Sequence, residues 1–224
     1  MQVPITNRVE AGQTLASLLS DYQQRPDTLI LALPRGGVPV AFEVADQLKL
    51  PMDLMLVRKL GTPHFPELAM GAIASGGVRV LNEQVIRAYG IDDDAIDAVE
   101  QNEQQELQRR EGLYRGQRPY PELKEKTIIL VDDGLATGST MKAAINAVKA
   151  HGASTIVVAV PVAPPDTVLA LEKMVDQVIC PIQPSGFSSI GQWYTDFSQV
   201  SDAEVMNQLA QAWENEKYTS RKRT

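Results

Sequence analysis

The sequence is short of the residues that carry several common chemistries. Its 224 residues hold one cysteine and two histidines, so an internal disulfide is excluded and no His/Cys spacing for a structural zinc exists. Aromatics make up only 5% of the chain, and the formal charge of −7 at pH 7 leaves too little basic surface for a general nucleic-acid or anionic-membrane binder. Any phosphate site must therefore be local. No window approaches 18 consecutive apolar residues, and the opening MQVPITNRVE has neither a charged n-region nor an apolar h-region, so the expected setting is cytoplasmic. There is no internal repeat, no GxxxxGK[ST] loop and no GxGxxG after a strand, which argues against nucleoside triphosphate hydrolysis and dinucleotide binding.

What is present is a core: 44% hydrophobic residues over a length that suits one folding unit. Apolar runs at 28–33, 53–57, 127–131, 155–160 and 177–180 read as buried strands. Helical periodicity at 13–20, 38–48, 139–150 and 166–175 separates most of them. Short apolar strands alternating with helices predict an α/β fold: a parallel twisted sheet with helices on both faces, joined by right-handed crossovers. Ligands of such sheets bind beyond the carboxyl ends of the strands. Residues 58–77, broken by Gly61, Pro63, Pro66, Gly71, Gly76 and Gly77, read as a long loop leading into a short strand or hairpin at 78–81. Asp92, Asp93 and Asp94 suit the start of a polar helix to about Arg115, either solvated or a dimer contact. From 181 the chain turns irregular and aromatic, with Ser201 or Asp202 capping a last helix to about Asn215. The end, RKRT, reads as a solubilising tail or a docking signal, and Cys180 as a core thiol.

Two loops at the predicted ligand edge stand out. Residues 128–141, IILVDDGLATGSTM, run from a strand into two acids and then into a helix start made of small and hydroxyl residues. Backbone N–H groups over Ala136, Thr137, Gly138, Ser139 and Thr140 would cradle a phosphate without a lysine. Asp132 and Asp133 would accept hydrogen bonds from the vicinal hydroxyls of a ribose whose 5-phosphate sits there, and would offset positive charge on the sugar; a helix-capping acid pair is the plainer alternative. The second loop is Leu33-Pro34-Arg35-Gly36-Gly37. Its glycines permit unusual torsions and Arg35 offers a fork for phosphate oxygens, although a simple turn has the same composition. Arg58 and Lys59 add cations at the end of the next strand.

These residues resemble the type I phosphoribosyltransferases over roughly residues 8–200. The strand, the pair Asp132-Asp133 and Ala136-Thr137-Gly138-Ser139-Thr140 resemble that family's signature for 5-phosphoribosyl 1-diphosphate (PRPP). Residues 33–37 resemble its diphosphate loop, which often contains a cis peptide that does not precede proline. The resemblance implies a core at 1–180 with a mobile catalytic loop at about 58–77, and a base-covering hood with a last helix at 181–224. It also implies Mg2+ carried mainly by PRPP rather than by protein ligands, diphosphate contacts from Arg35, Gly36, Gly37, Arg58 and Lys59, and possible homodimers. RKLGTPHFPELAMGAI and QWYTDFSQVSDAEV are similar to bacterial stand-alone members whose acceptor is unassigned. Purine members often carry an acid at the position of Ala136, so guanine and hypoxanthine are disfavoured. Adenine-type members can use a loop glutamate instead, here Glu67. Phe187, Trp193, Tyr194 and Phe197 either stack on a planar acceptor or form a satellite core, and His64 is either incidental or a diphosphate contact.

The implied reaction is pentosyl transfer from PRPP to a nitrogenous base in nucleotide metabolism, or its reverse. A second class is a non-catalytic PRPP or nucleotide sensor on the same fold. A receiver-like signalling domain fits poorly, because receivers place their acid pair after the first strand.

Overall fold

The computed structural model of the protein describes residues 3–221, with the side chains of 67 and 217–221 left outside that description. The basic end predicted as a tail falls mostly beyond it. In chain order the elements are α1 (Arg8–Leu18), β1 (Thr28–Ala32), α2 (Gly37–Leu48), β2 (Met52–Leu54), β3 (Val57–Thr62), β4 (Phe65–Ala74) and β5 (Val78–Leu81). Then follow α3 (Glu83–Tyr89), α4 (Asp93–Arg115), β6 (Thr127–Val131), α5 (Ser139–Ala150), β7 (Thr155–Ala159), α6 (Pro165–Glu172), β8 (Gln177–Ile179) and α7 (Asp202–Arg221).

Five strands form the parallel sheet that the alternating pattern predicts, in the order β2-β1-β6-β7-β8. Every residue of β1 and β6 is buried. Alternate side chains feed two separate cores: Ile30, Ala32, Ile129 and Val131 join α1, α2 and α7, while Leu29, Leu31, Ile128 and Leu130 join α5 and α6. Burial on both faces is why these strands read as continuous apolar runs. The chain winds outward in one direction from β1 to β2 and in the other from β6 to β8. The order therefore reverses between β1 and β6, which pair in register from Thr28↔Thr127 to Ala32↔Val131. That reversal places the two unusual loops side by side at one crevice.

Residues 57–81 correct the loop expected from the Gly and Pro spacing. They form a three-stranded antiparallel sheet, β3-β4-β5. Gly61 and Gly71 lie inside it rather than breaking it: a Cβ on Gly61 would sit 2.8 Å from the Pro66 carbonyl oxygen, and one on Gly71 2.6 Å from that of Val80. Both glycines serve close backbone approach, with a register irregularity at Leu60 to Thr62. The strand expected at 53–57 is likewise divided between β2 and β3. This small sheet rests on α5, and α4 packs along β3. Asp92 caps α4 by accepting the Ala95 N–H at 2.8 Å, as its sequence suggests.

The carboxyl end of β2 is anchored by Asp53, which is buried and pairs with Arg115 of α4 at 2.8 Å. Burial raises the Asp53 carboxyl above its usual range, against the pull of Arg115. Beyond β8 the chain crosses the sheet edge with one short 3₁₀ turn, Ile190–Trp193, before α7. Cys180 is buried and free, and burial pushes its thiol up to about 12. Among the described residues no helix is long and apolar enough to cross a membrane.

Candidate active site

The site begins where β6 ends. Asp132 and Asp133 follow Val131 directly, and the loop then runs to Gly138, whose φ of 68° opens α5. Gly138 offers no side-chain cap to α5, and apart from a long 3.4 Å contact from the Ser139 N–H to the Thr137 hydroxyl the first-turn N–H groups of the helix remain for an anion. Ala136, Thr137, Ser139 and Thr140 are exposed around that helix start, while Gly138 is buried. The Thr167 hydroxyl donates to the Ala136 carbonyl at 2.7 Å and pins the loop to α6.

The second loop leans on the acid pair. The Pro34-Arg35 peptide is cis, and the Leu33 N–H donates to the Val131 carbonyl at 2.9 Å, tying the two loops together. A Cβ on Gly36 would sit 2.0 Å from Asp133 Oδ2, and one on Gly37 would sit 2.7 Å from the Val131 carbonyl oxygen and 2.9 Å from Asp132 Cα. Only glycine allows the loop this near.

The two acids are not equivalent. Asp133 is buried, and Arg8 at the start of α1 sends both Nε (2.9 Å) and Nη2 (2.8 Å) to its Oδ2. Arg8 in turn lies 4.1 Å over the Phe197 ring and donates to the Ser198 carbonyl at 2.7 Å. Asp132 accepts the Asp133 N–H at 2.8 Å and retains partial exposure. Burial, and then the charge of Asp133, push the Asp132 carboxyl well above the usual range. Burial also raises Asp133, with Arg8 opposing it. The carboxylate with capacity left for a ligand is thus Asp132.

Cations surround the crevice. A cavity of about 590 Å³ is lined by Arg58, Lys59, His64, Thr62, Glu103 and Thr140, among others. A narrow cleft lined by Leu33, Pro34, Arg58, Arg110 and Thr140 adjoins it. Thr140 of the helix start and Arg58 of β3 stand in both walls, and Leu33 and Pro34 bring the cis loop to the narrower one. Arg35 stands beside it, 3.6 Å from Asp202. Glu67 lies on β4, and its side chain falls outside the described residues.

The aromatic segment does not act as one unit. Of the two readings for Tyr194, stacking on an acceptor or part of a satellite core, its burial favours the second, and its hydroxyl donates to the Asp133 carbonyl at 2.7 Å. Burial raises that hydroxyl's pKa, so it remains a donor. Phe187 and Trp193 are half-buried and stacked, with ring centroids 6.3 Å apart, and both pack against the core.

Sequence reasoning missed Arg8 and Glu103. Arg8 stands where a helix start favours acids, a local oddity that signals a distant carboxylate. Glu103 carries no such signal, being one acid among many on a polar helix.

A helix start with no side-chain cap from Gly138, joined to an acid pair at the switch point of a parallel sheet, is the class of site at which α/β folds present backbone N–H groups to an anion. A family model described as the phosphoribosyl transferase domain matches residues 5–193, and the chain belongs to that family. Two Mycobacterium tuberculosis proteins, from strains CDC 1551 / Oshkosh and ATCC 25618 / H37Rv, are 47% identical over 206 residues. Each is named, provisionally, a phosphoribosyl transferase. The match covers 92% of this chain and 46% of theirs, so the chain spans about half the length of these curated relatives. The solved structure of TT1426 from Thermus thermophilus superposes with a TM-score of 0.85 at 38% identity, covering 92% of this chain and 98% of that one. The fold is that of the type I phosphoribosyltransferases.

Proposed function

We propose that the protein is a Mg2+-dependent phosphoribosyltransferase that transfers phosphoribose from PRPP to a nitrogenous base, or runs the reverse reaction, in nucleotide metabolism. The observation that carries this reading is the close approach of the cis Pro34-Arg35 loop to the acid pair at Gly36 and Gly37, with the helix start at residues 136–140 following that pair and its Thr140 lining the adjoining cavity with Arg58 and Lys59. The cradle holds the 5-phosphate on backbone N–H groups and on the hydroxyls of Thr137, Ser139 and Thr140. Asp132 accepts from the ribose hydroxyls and offsets charge on the oxocarbenium-like sugar, while Asp133 supports it from within its ion pair with Arg8. Arg58, Lys59 and Arg35 balance the departing diphosphate, with Gly36 and Gly37 allowing its oxygens near the backbone.

Among the described residues no cluster of three metal-ligating side chains exists. Two carboxylates, one already held by Arg8, fit a Mg2+ that arrives with the diphosphate rather than one caged by protein. When bound, the ion neutralises charge on the leaving group. Glu67 is retained as the candidate acid for the base, and Phe187 and Trp193 as the apolar wall for a planar acceptor. The lone thiol Cys180 fits a cytoplasmic, reducing setting. A second copy of the chain as partner rests on the resemblance alone.

The test is diphosphate release from PRPP and Mg2+ with a panel of purines, pyrimidines and related heterocycles. Turnover that Asp132→Asn abolishes is the expected result. PRPP-dependent thermal stabilisation without turnover of any acceptor would favour a sensor. Absence of any PRPP binding at millimolar concentration would remove both.

A further inference from the structure

Three arginines stand in or beside the crevice, and each already holds an acid. Arg58 Nε donates to Glu103 at 2.6 Å, Arg110 Nε to Glu106 at 2.7 Å, and Arg35 lies 3.6 Å from Asp202. Two of these acids come from α4, and Glu103 itself forms part of the wall of the 590 Å³ cavity, beside Val99 one turn earlier. An anion entering the crevice therefore meets cations with carboxylates attached. To engage Arg58 fully it must displace Glu103.

We propose that Glu103 is a positioning residue: an exchangeable counterion that holds Arg58 against the cavity wall and sets the affinity of the crevice for diphosphate. The inference rests on the reading of this crevice as the diphosphate site. The side chains of Arg58 and Glu103 are 28% and 26% exposed, so the pair is strong enough to fix Arg58 yet open enough to be exchanged. Diphosphate carries more charge than one carboxylate and offers several oxygens to the guanidinium fork, so it wins the exchange when it arrives. Glu103 recaptures Arg58 when diphosphate leaves. The pair thus prevents an unbalanced cation in the empty site from holding the product too tightly, and it couples α4 to the occupancy of the crevice.

Calorimetric titration of inorganic pyrophosphate with Mg2+ tests this on the full chain, as wild type, Glu103→Gln, Arg58→Ala and the double variant. Removing the competing carboxylate is expected to tighten pyrophosphate roughly two- to fivefold, the worth of an ion pair at this exposure. The same substitution in the Arg58→Ala background is expected to change nothing. A merely structural role for Glu103 would not give that dependence on Arg58. Glu103→Ala, expected to act in the same direction, serves if the glutamine variant does not fold. Affinity unchanged or weakened by loss of Glu103, or tightened equally without Arg58, would overturn the inference and leave the diphosphate site standing. Failure of the wild type to bind either pyrophosphate or PRPP would remove the site and the inference together.

Discussion

Gly36→Ala probes the contact on which the site is built. The added Cβ would lie 2.0 Å from Asp133 Oδ2 and 2.6 Å from Cγ, so the carboxylate must retreat by more than an ångström to reach ordinary contact. It cannot do so freely, because Arg8 Nε and Nη2 hold that same oxygen at 2.9 and 2.8 Å. Overpacking costs about 1–3 kcal/mol, and loosening a buried charge pair adds part of the ~3–5 kcal/mol that breaking one outright costs. A loss of about 2–4 kcal/mol is expected from these two sources, equivalent to a fall in Tm of roughly 5–15 °C for a chain of this size. Urea denaturation of Gly36→Ala, Asp133→Ala and the double variant closes a cycle. If the collision with Asp133 is the cause, Gly36→Ala costs little once the carboxylate is gone, and the coupling exceeds ~1 kcal/mol. Additive losses, agreeing within ~0.5 kcal/mol, would refute the reasoning.

Two further outcomes follow from buried charge. Asp132 has a raised folded pKa, so its ionisation favours the unfolded chain: the cost is absent below the unfolded value of about 4 and grows as pH rises toward the folded one. Asp132→Asn, whose amide oxygen still accepts the Asp133 N–H, should raise Tm at pH 7, and the gain should fade as pH falls through about 4 and be gone by about pH 3. A pH-independent difference would show that ionisation is not the cause. Arg115→Met leaves Asp53 buried without its main partner and should cost ~3–5 kcal/mol in chemical denaturation; a loss below ~1 kcal/mol, the worth of an exposed pair, would show that the pair is not acting as a buried one.

What the sequence made legible was local. Thr127–Val131 and Ser139–Ala150 were readable to the residue, because a strand buried on both faces and a helix with one apolar face each leave a period in the chain. The proposed phosphate cradle, Ala136 to Thr140, could be put forward from sequence because its parts are consecutive. Residues 57–74 misled because a glycine required for close approach within a sheet looks the same as one that breaks it. Leu15 and Leu19, both fully buried, marked the body and the C-terminal end of α1, yet nothing nearby disclosed that Arg8 reaches Asp133. The division of labour between Asp132 and Asp133, and the capture of Arg58 by Glu103, depend on pairings across 125 and 45 residues. No local pattern records such distances.

The support of the acid pair has a consequence for how the protein comes into being. All five strands of the parallel sheet are present once Ile179 has been made. Asp133, however, also relies on the Tyr194 hydroxyl, and on Arg8, which is itself held by Ser198 and Phe197. A growing chain on the ribosome can therefore complete its sheet while the acid pair still lacks its frame. That frame is complete only when the last stretch before α7 lies back over the edge, bringing Tyr194, Phe197 and Ser198 to Asp133 and Arg8.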